Sequence, residues 1–205
     1  MKTKFLHIAT ALLFAGFTSS CSDFLDRYPL DELSDSSFWK TENDAMMAVT
    51  DIYGCLPTWD QDEDINSDNA VHGIKWAAGN ISKGIYDPMD QSWAGSYTPI
   101  RQCNLVLEKV KDIEMSDESR KKIEGQAYFF RAFVYFNLIR SFGDVPYIDK
   151  PLNLTDVEDI TRTPREEVYA KVMADFDKAI EYLPEEWDAA NTPRVTKGAA
   201  LAMKA

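Results

Sequence analysis

Apolar residues in this chain recur at helical spacing. Between Glu42 and Leu56 they fall at Ala45, Val49, Ile52, Tyr53 and Leu56, which is one face of a helix. Thr41 stands ahead of this stretch as an N-cap, with Asp44 in the acid position of a capping box. A second helix is expected over 93–113, with Tyr97, Ile100, Asn104, Leu107 and Val110 on its stripe. Pro99, which lacks an N–H and crowds the preceding turn, is expected to delay its regular start. Ser116 caps a third helix over 117–142. Its middle, YFFRAFVYFNLI, is apolar nearly all round, the pattern of a helix covered on both sides. Gly143 is placed to end it in the left-handed conformation, and residues 144–148, around Pro146, leave as an extended segment.

The fourth helix opens on TPREEV, read as Thr163 at the N-cap, Pro164 at the first helical position and Glu166 at the third. Val168, Val172, Phe176, Ala179, Ile180 and Leu183 form its buried stripe, and Pro184 ends it. A fifth helix begins after Thr196 with KGAALAMKA, where Ala199, Ala200 and Ala202 suit close packing. Paired helices with small residues at the crossings and large ones on the flanking turns look like tetratricopeptide-type packing. Such repeats bury their faces only against neighbours. The fold class expected is therefore all-α, and the chain reads as an N-terminal portion of a longer protein. Between the first two helices, residues 57–92 hold no helical or strand period, are rich in Asp, Asn and Gly, and carry the aromatics Trp59, Trp76 and Tyr86. A segment of that length and aromatic content points to function.

The N-terminus changes the picture of where this body resides. Lys2 and Lys4 precede an apolar run from Phe5 to Phe17 that is too short to span a bilayer but fits a signal-peptide core. Thr18, Ser19 and Ser20 then lead to Cys21. A small residue directly before a cysteine resembles a bacterial lipobox, although Thr18 stands where Leu is usual. Residues 1–20 are thus expected to be a lipoprotein signal, and 21–205 a soluble body tethered through acylated Cys21. Several acyl chains, at about 0.8 kcal/mol per buried CH₂, give a stable anchor.

Charge excludes some partners. The chain has 22 basic and 34 acidic residues, a net −12, and removing Lys2 and Lys4 makes the remainder more negative still. Such a body repels nucleic acid and anionic lipid. Cys55 and Cys103 are the only other thiols; they fit a single disulfide or two small buried side chains. His72 is the one histidine of the mature part, which leaves no two-histidine metal site and little support for a His-based triad.

Taken in order, the segments FLDRYP, SFWKTENDA, DIYG, SDN, YTPIRQCN, EGQAYFFRAFVYFNLIRSFGDVPYI, TPREEVYAKVMADFDKAIEYLP and RVTKGAALAMKA, behind the lipid-type Cys21, resemble the SusD/RagB family of outer-membrane lipoproteins. The resemblance covers essentially the whole chain, as the N-terminal portion of a longer family member. It implies a body of tetratricopeptide-like helix pairs with irregular loops that carry the ligand site. It also implies a role: capture of an oligosaccharide or peptide over a SusC-like TonB-dependent transporter, with binding and no catalysis.

Sugar recognition uses flat aromatic faces against the apolar side of a pyranose, with amides and carboxylates bonding the hydroxyls around it. Trp76, Asn80 and Tyr86, deep in the 57–92 segment, are the candidates of first choice, with Trp93 as a fourth. For Trp93, and for Tyr97, packing of the helix start competes with ligand contact. Asp68 in SDN suits a local turn. The run DQDEDINSD at 60–68 starts like a calcium loop, but Ile65 stands where Gly is needed and Val71 where Glu is needed, so it reads as a solvated acidic loop. No catalytic residue, metal site or cofactor is assigned. Arg131, inside the apolar helix, reads as a buried ion, with Glu124 two turns back as a partner or with loop carbonyls as acceptors. Two alternatives stand beside glycan capture: a peptide-capturing family member, and a tetratricopeptide-type interaction scaffold without a small ligand.

Overall fold

The computed structural model describes residues 38–56, 93–153, 156 and 159–205. Five α-helices lie among them: α1 (Glu42–Ile52), α2 (Trp93–Lys109), α3 (Asp117–Phe142), α4 (Arg165–Tyr182) and α5 (Lys197–Lys204). Single 3-10 turns extend α1 (Tyr53–Cys55) and α2 (Val110–Asp112). One isolated antiparallel bridge, Val145 to Thr163, is the β-type pairing among the described residues. The body is all-α, as the periodicity predicts. No described helix is long and apolar enough to cross a membrane.

The α1 start has the expected capping box. The Asp44 N–H donates to Thr41 Oγ1 (3.3 Å), and the Thr41 N–H donates to Asp44 Oδ2 (2.8 Å). Ala45, Val49 and Ile52 are buried, whereas Leu56 is 38% exposed, because the chain turns extended there and leaves the helical face. Pro99 does not delay α2. The helix begins at Trp93 and runs through the proline. The carbonyl that loses its bond belongs to Gly95, which is exposed, so water can replace the missing donor.

Helix α3 is the central element, packed between α2 and α4, with α1 crossing it as well. Its buried residues lie on several sides, among them Ile123, Phe129, Phe130, Val134, Tyr135 and Leu138. The aromatic rings meet edge to face: Phe130 with Tyr53 at 4.5 Å, and Phe129 with Phe176 of α4 at 6.1 Å between centroids. Phe130 and Phe176 are each almost wholly buried, and each such side chain contributes about 1.5–3 kcal/mol by leaving water. Helix α3 ends at Gly143, with φ 69° and ψ −115°. The φ is positive as expected, but the ψ lies outside the left-handed helical well, in a region open essentially to glycine alone.

The start of α4 differs from expectation. Thr163 is held one position outside the helix by its bridge to Val145, with N–H···O distances of 3.0 and 3.3 Å in the two directions. Pro164 takes the N-cap position and has no side-chain bond to offer. The cap comes from the turn after α3 instead: the Arg165 N–H donates to Asp144 Oδ1 at 2.9 Å. The α4 stripe is buried at Val168, Val172, Phe176, Ala179 and Leu183, and Asp175 is buried among them. In α5, capped by Thr196, Ala200 is buried, but Ala202 and Leu201 are exposed, because α5 meets α4 along only one edge.

A polar clasp ties the first helix to the last connection. The Tyr53 hydroxyl donates to Gln126 Oε1 (2.9 Å) and accepts from the Val195 N–H (2.9 Å). Arg194 donates to Gln126 Oε1 (3.2 Å) and to Thr50 Oγ1 (2.9 Å).

The α3–α4 crossing is set by Gly125. A Cβ there would stand 3.0 Å from Tyr182 Cβ and 3.2 Å from the Leu183 backbone nitrogen. Neither atom is the free end of a side chain. Gly125→Ala is expected to lower stability by about 1–3 kcal/mol. Gly54→Ala, whose Cβ would meet nothing within 4 Å, serves as the near-neutral control. Urea denaturation followed by circular dichroism checks both; equal midpoints for the two variants would contradict the close approach.

Candidate functional site

Arg131 occupies the middle of α3 and is 6% exposed. An arginine there can be tolerated only if its charge and donors are met. They are met by Asp175 of α4, not by Glu124. Arg131 Nε donates to Asp175 Oδ2 and Nη2 to Oδ1, both at 2.7 Å, a bidentate fork. Nη1 donates to Asn104 Oδ1 of α2 at 2.8 Å, and more distantly to the Asp149 carbonyl at 3.5 Å. Glu124 faces Arg120, Lys111 and Lys178 instead, and burial pushes its carboxyl up. Desolvation works against both members of the fork. At Arg131 it is outweighed by the Asp175 carboxylate, and the guanidinium is held more firmly protonated than usual. At Asp175 desolvation is the larger effect and raises the carboxyl above its ordinary value despite the guanidinium. The bidentate 2.7 Å geometry is that of an ionised pair. Asp175 was legible in principle: it sits on the buried stripe, three residues after Val172 and four before Ala179, facing the one cation of the apolar stretch YFFRAFVYFNLI.

Asn104 completes this centre. Its amide donates to the carbonyls of Ile148 (2.9 Å) and Lys150 (3.4 Å). The Tyr135 hydroxyl pairs with Ile148 in both senses, donating to its carbonyl (3.1 Å) and accepting from its N–H (2.7 Å). The segment after Gly143 is thereby pinned over α2, α3 and α4. A pocket of about 380 Å³ opens there, between α2, the pinned segment and α4.

Trp76, Asn80 and Tyr86 lie outside the described residues, as do Cys21, Asp68 and His72. The two ends of the segment that carries the three ligand candidates are described: Leu56 and Trp93. Trp93 is half-buried in the first turn of α2. Its ring meets Phe142 edge-on at 4.8 Å and Tyr97 at 5.9 Å, and the Arg162 guanidinium lies over it at 5.1 Å. Arg162 also donates to the Asp144 carbonyl (3.2 Å), and the Tyr97 hydroxyl donates to the Pro146 carbonyl (3.0 Å). These contacts fix the start of α2 to the turn that follows α3. Beside this point a groove of about 820 Å³ runs from Gly54 and Cys55 past Ser96 and Gln102 to Phe133 and Phe136 of α3. Half-buried rings beside amides and hydroxyls are a surface suited to a polar, flat-faced ligand.

Cys55 and Cys103 are both free thiols, Cys103 wholly buried in α2. Burial pushes both up, Cys55 to about 11, so neither is a reactive thiolate at neutral pH.

A family model described as starch-binding and associating with the outer membrane matches residues 23–205. The chain belongs to the SusD-like family. A SusD-like protein from Formosa agariphila is 30% identical over 98% of this chain and 42% of its own length. One from Bacteroides ovatus is 26% identical over 92% of this chain and 36% of its own. Among solved structures, a SusD-like protein from Bacteroides fragilis is 28% identical and superposes with a TM-score of 0.75 over 87% of this chain and 36% of that one. A SusD-like carbohydrate-binding protein from the same species is 25% identical, with a TM-score of 0.68 over 82% of this chain and 37% of its own. The SusD-like chain thus spans less than half the length of the relatives it matches. The all-α, tetratricopeptide-like architecture is shared with these structures.

The Arg131–Asp175 fork gives a direct test. Asp175→Asn leaves the guanidinium buried without a counter-charge and is expected to cost about 3–5 kcal/mol. Replacing both partners by apolar residues, Arg131→Met with Asp175→Leu, is expected to cost much less than the sum of the single changes. Denaturant titrations of the four proteins close the cycle; additive losses would mean the two charges do not interact.

Proposed function

We propose that this SusD-like chain is the N-terminal part of a cell-surface lipoprotein that captures an oligosaccharide and hands it to a SusC-like TonB-dependent transporter in the outer membrane. The observation that carries this reading is the match of residues 23–205 to a family described as starch-binding and associating with the outer membrane. The likeness to a carbohydrate-binding relative supports the ligand class. In this reading residues 1–20 direct export, Cys21 carries the acyl chains, and residues 21–205 form the binding body. Trp76 and Tyr86 stack on sugar rings, and Asn80 bonds their hydroxyls. Trp93, braced by Phe142 and Arg162 at the start of α2, offers a further ring for sugar contact. The work is binding: rings and amides hold a neutral saccharide, and no bond is made or broken.

Affinity electrophoresis of the full-length protein against a panel of polysaccharides tests the ligand. Retardation by at least one glycan is expected, and Trp76→Ala should weaken it about tenfold. Binding of peptides with no glycan retardation would favour the peptide-capturing alternative. Metabolic labelling with palmitate tests the anchor: label is expected on the wild type and not on Cys21→Ala, and equal labelling of the two would retire the anchor.

A further inference from the structure

The 380 Å³ pocket above the Arg131 centre has a lining that its structural role does not use. Lys111, Lys150 and Lys171 reach it from α2's terminal turn, the pinned segment and α4. All three are exposed, and none forms an ion pair among the described residues. Tyr128 and Tyr147 also line it, and neither hydroxyl makes a hydrogen bond among the described residues. Two carboxylates, Glu108 and Asp149, stand on the same walls, while Arg131 and Asp175 neutralise each other beneath. In a chain of net charge −12, three ammonium groups around one cleft are a local reversal of sign.

The geometry points to this cleft as a second saccharide site, specific for a sugar that carries a single carboxylate, such as a uronic acid. The inference rests on the glycan-capture reading and names a ligand class within it. A simple inorganic anion would find the lysines but also face Glu108 and Asp149. A neutral sugar would satisfy the carboxylates with its hydroxyls and leave the ammonium groups unused. A sugar acid uses both: its carboxylate accepts from the lysines and the tyrosine hydroxyls, and its ring hydroxyls donate to Glu108 and Asp149. Leu107, Pro151 and Ala174 are the aliphatic residues of the lining, a small apolar surface for the side chains of a peptide. The pocket's size is that of a small-ligand site. The overall negative charge restricts it to short ligands of low charge, since a polyanion would be repelled beyond the cleft. The walls need no rearrangement, because the Arg131 fork and the Asn104 bonds to Ile148 and Lys150 already hold them.

Calorimetric titration of the full-length protein with a disaccharide ending in a uronic acid, with its methyl ester and with a sulfated disaccharide tests the site. The acid should bind about tenfold more tightly than the ester. Lys111→Gln/Lys150→Gln/Lys171→Gln should abolish that preference. Lys40→Gln/Lys121→Gln/Lys178→Gln, which removes the same charge elsewhere, should keep it. Tyr128→Phe and Tyr147→Phe, which retain the rings, should each weaken the acid more than the ester. An equal loss in both lysine triples would overturn the site as a general charge effect. A stronger response to the sulfated sugar than to the acid would overturn the carboxylate specificity. Retention of neutral glycan binding with no preference for the acid would overturn this site and leave the capture reading standing. No binding of any of the three would overturn this site, and the capture reading would fall with it only if the polysaccharide panel also gave no retardation.

Discussion

The described body depends on one buried charge. Arg131 sits in a helix that is apolar on nearly every side, and the cost of desolvating a guanidinium there is several kcal/mol. That cost is offset only when a carboxylate, an amide and a carbonyl converge on it. Asp175 fixes the register of α4 against α3, Asn104 fixes α2, and the Asp149 carbonyl draws in the connecting segment. Apolar packing is non-directional, so beyond the close approach at Gly125 it does little to fix the angular placement of α2 and α4 on α3. A bidentate fork is directional.

The same logic extends outward through backbone groups. Asn104 and Tyr135 meet both backbone groups of Ile148 and the carbonyl of Lys150, so the segment after Gly143 can lie on the core with those groups satisfied. That segment then does two further things. Its Asp144 caps α4, and its Pro146 carbonyl anchors Tyr97 near the start of α2. The start of α2 is therefore fixed, through Trp93, Tyr97 and Arg162, by a turn that lies far from it in sequence. The Arg194 clasp plays a comparable part at the other edge, where it joins α1 to the α4–α5 connection.

Much of this body was legible in the chain, for reasons specific to each element. The α1 capping box and the Ser116 cap are local hydrogen bonds between residues three apart, so sequence spacing suffices to find them. Buried stripes at Val168, Val172 and Phe176 follow from helical period alone. Where reading failed, a distant group had intervened. Thr163 looks like a cap until Val145 takes both of its backbone groups, and Pro99 looks like a barrier until solvent covers Gly95. Arg131 announced itself as a buried ion, yet its partner lies 44 positions away in sequence, and Glu124 was nearer only along the helix. Trp76, Asn80, Tyr86 and Cys21 lie outside the described residues, and their roles are read from the sequence.

By itself, then, the sequence determined the helices, their caps where capping is local, the acidic character of the body and the lipobox-like cysteine. These follow from nearest-neighbour sterics, periodicity and composition. Tertiary structure decided which charge meets Arg131, which residue caps α4, that Cys55 and Cys103 remain thiols, and that three lysines from separate elements face one cleft. Those outcomes depend on how α2, α3 and α4 cross, and a crossing is set by contacts between residues that no local pattern relates.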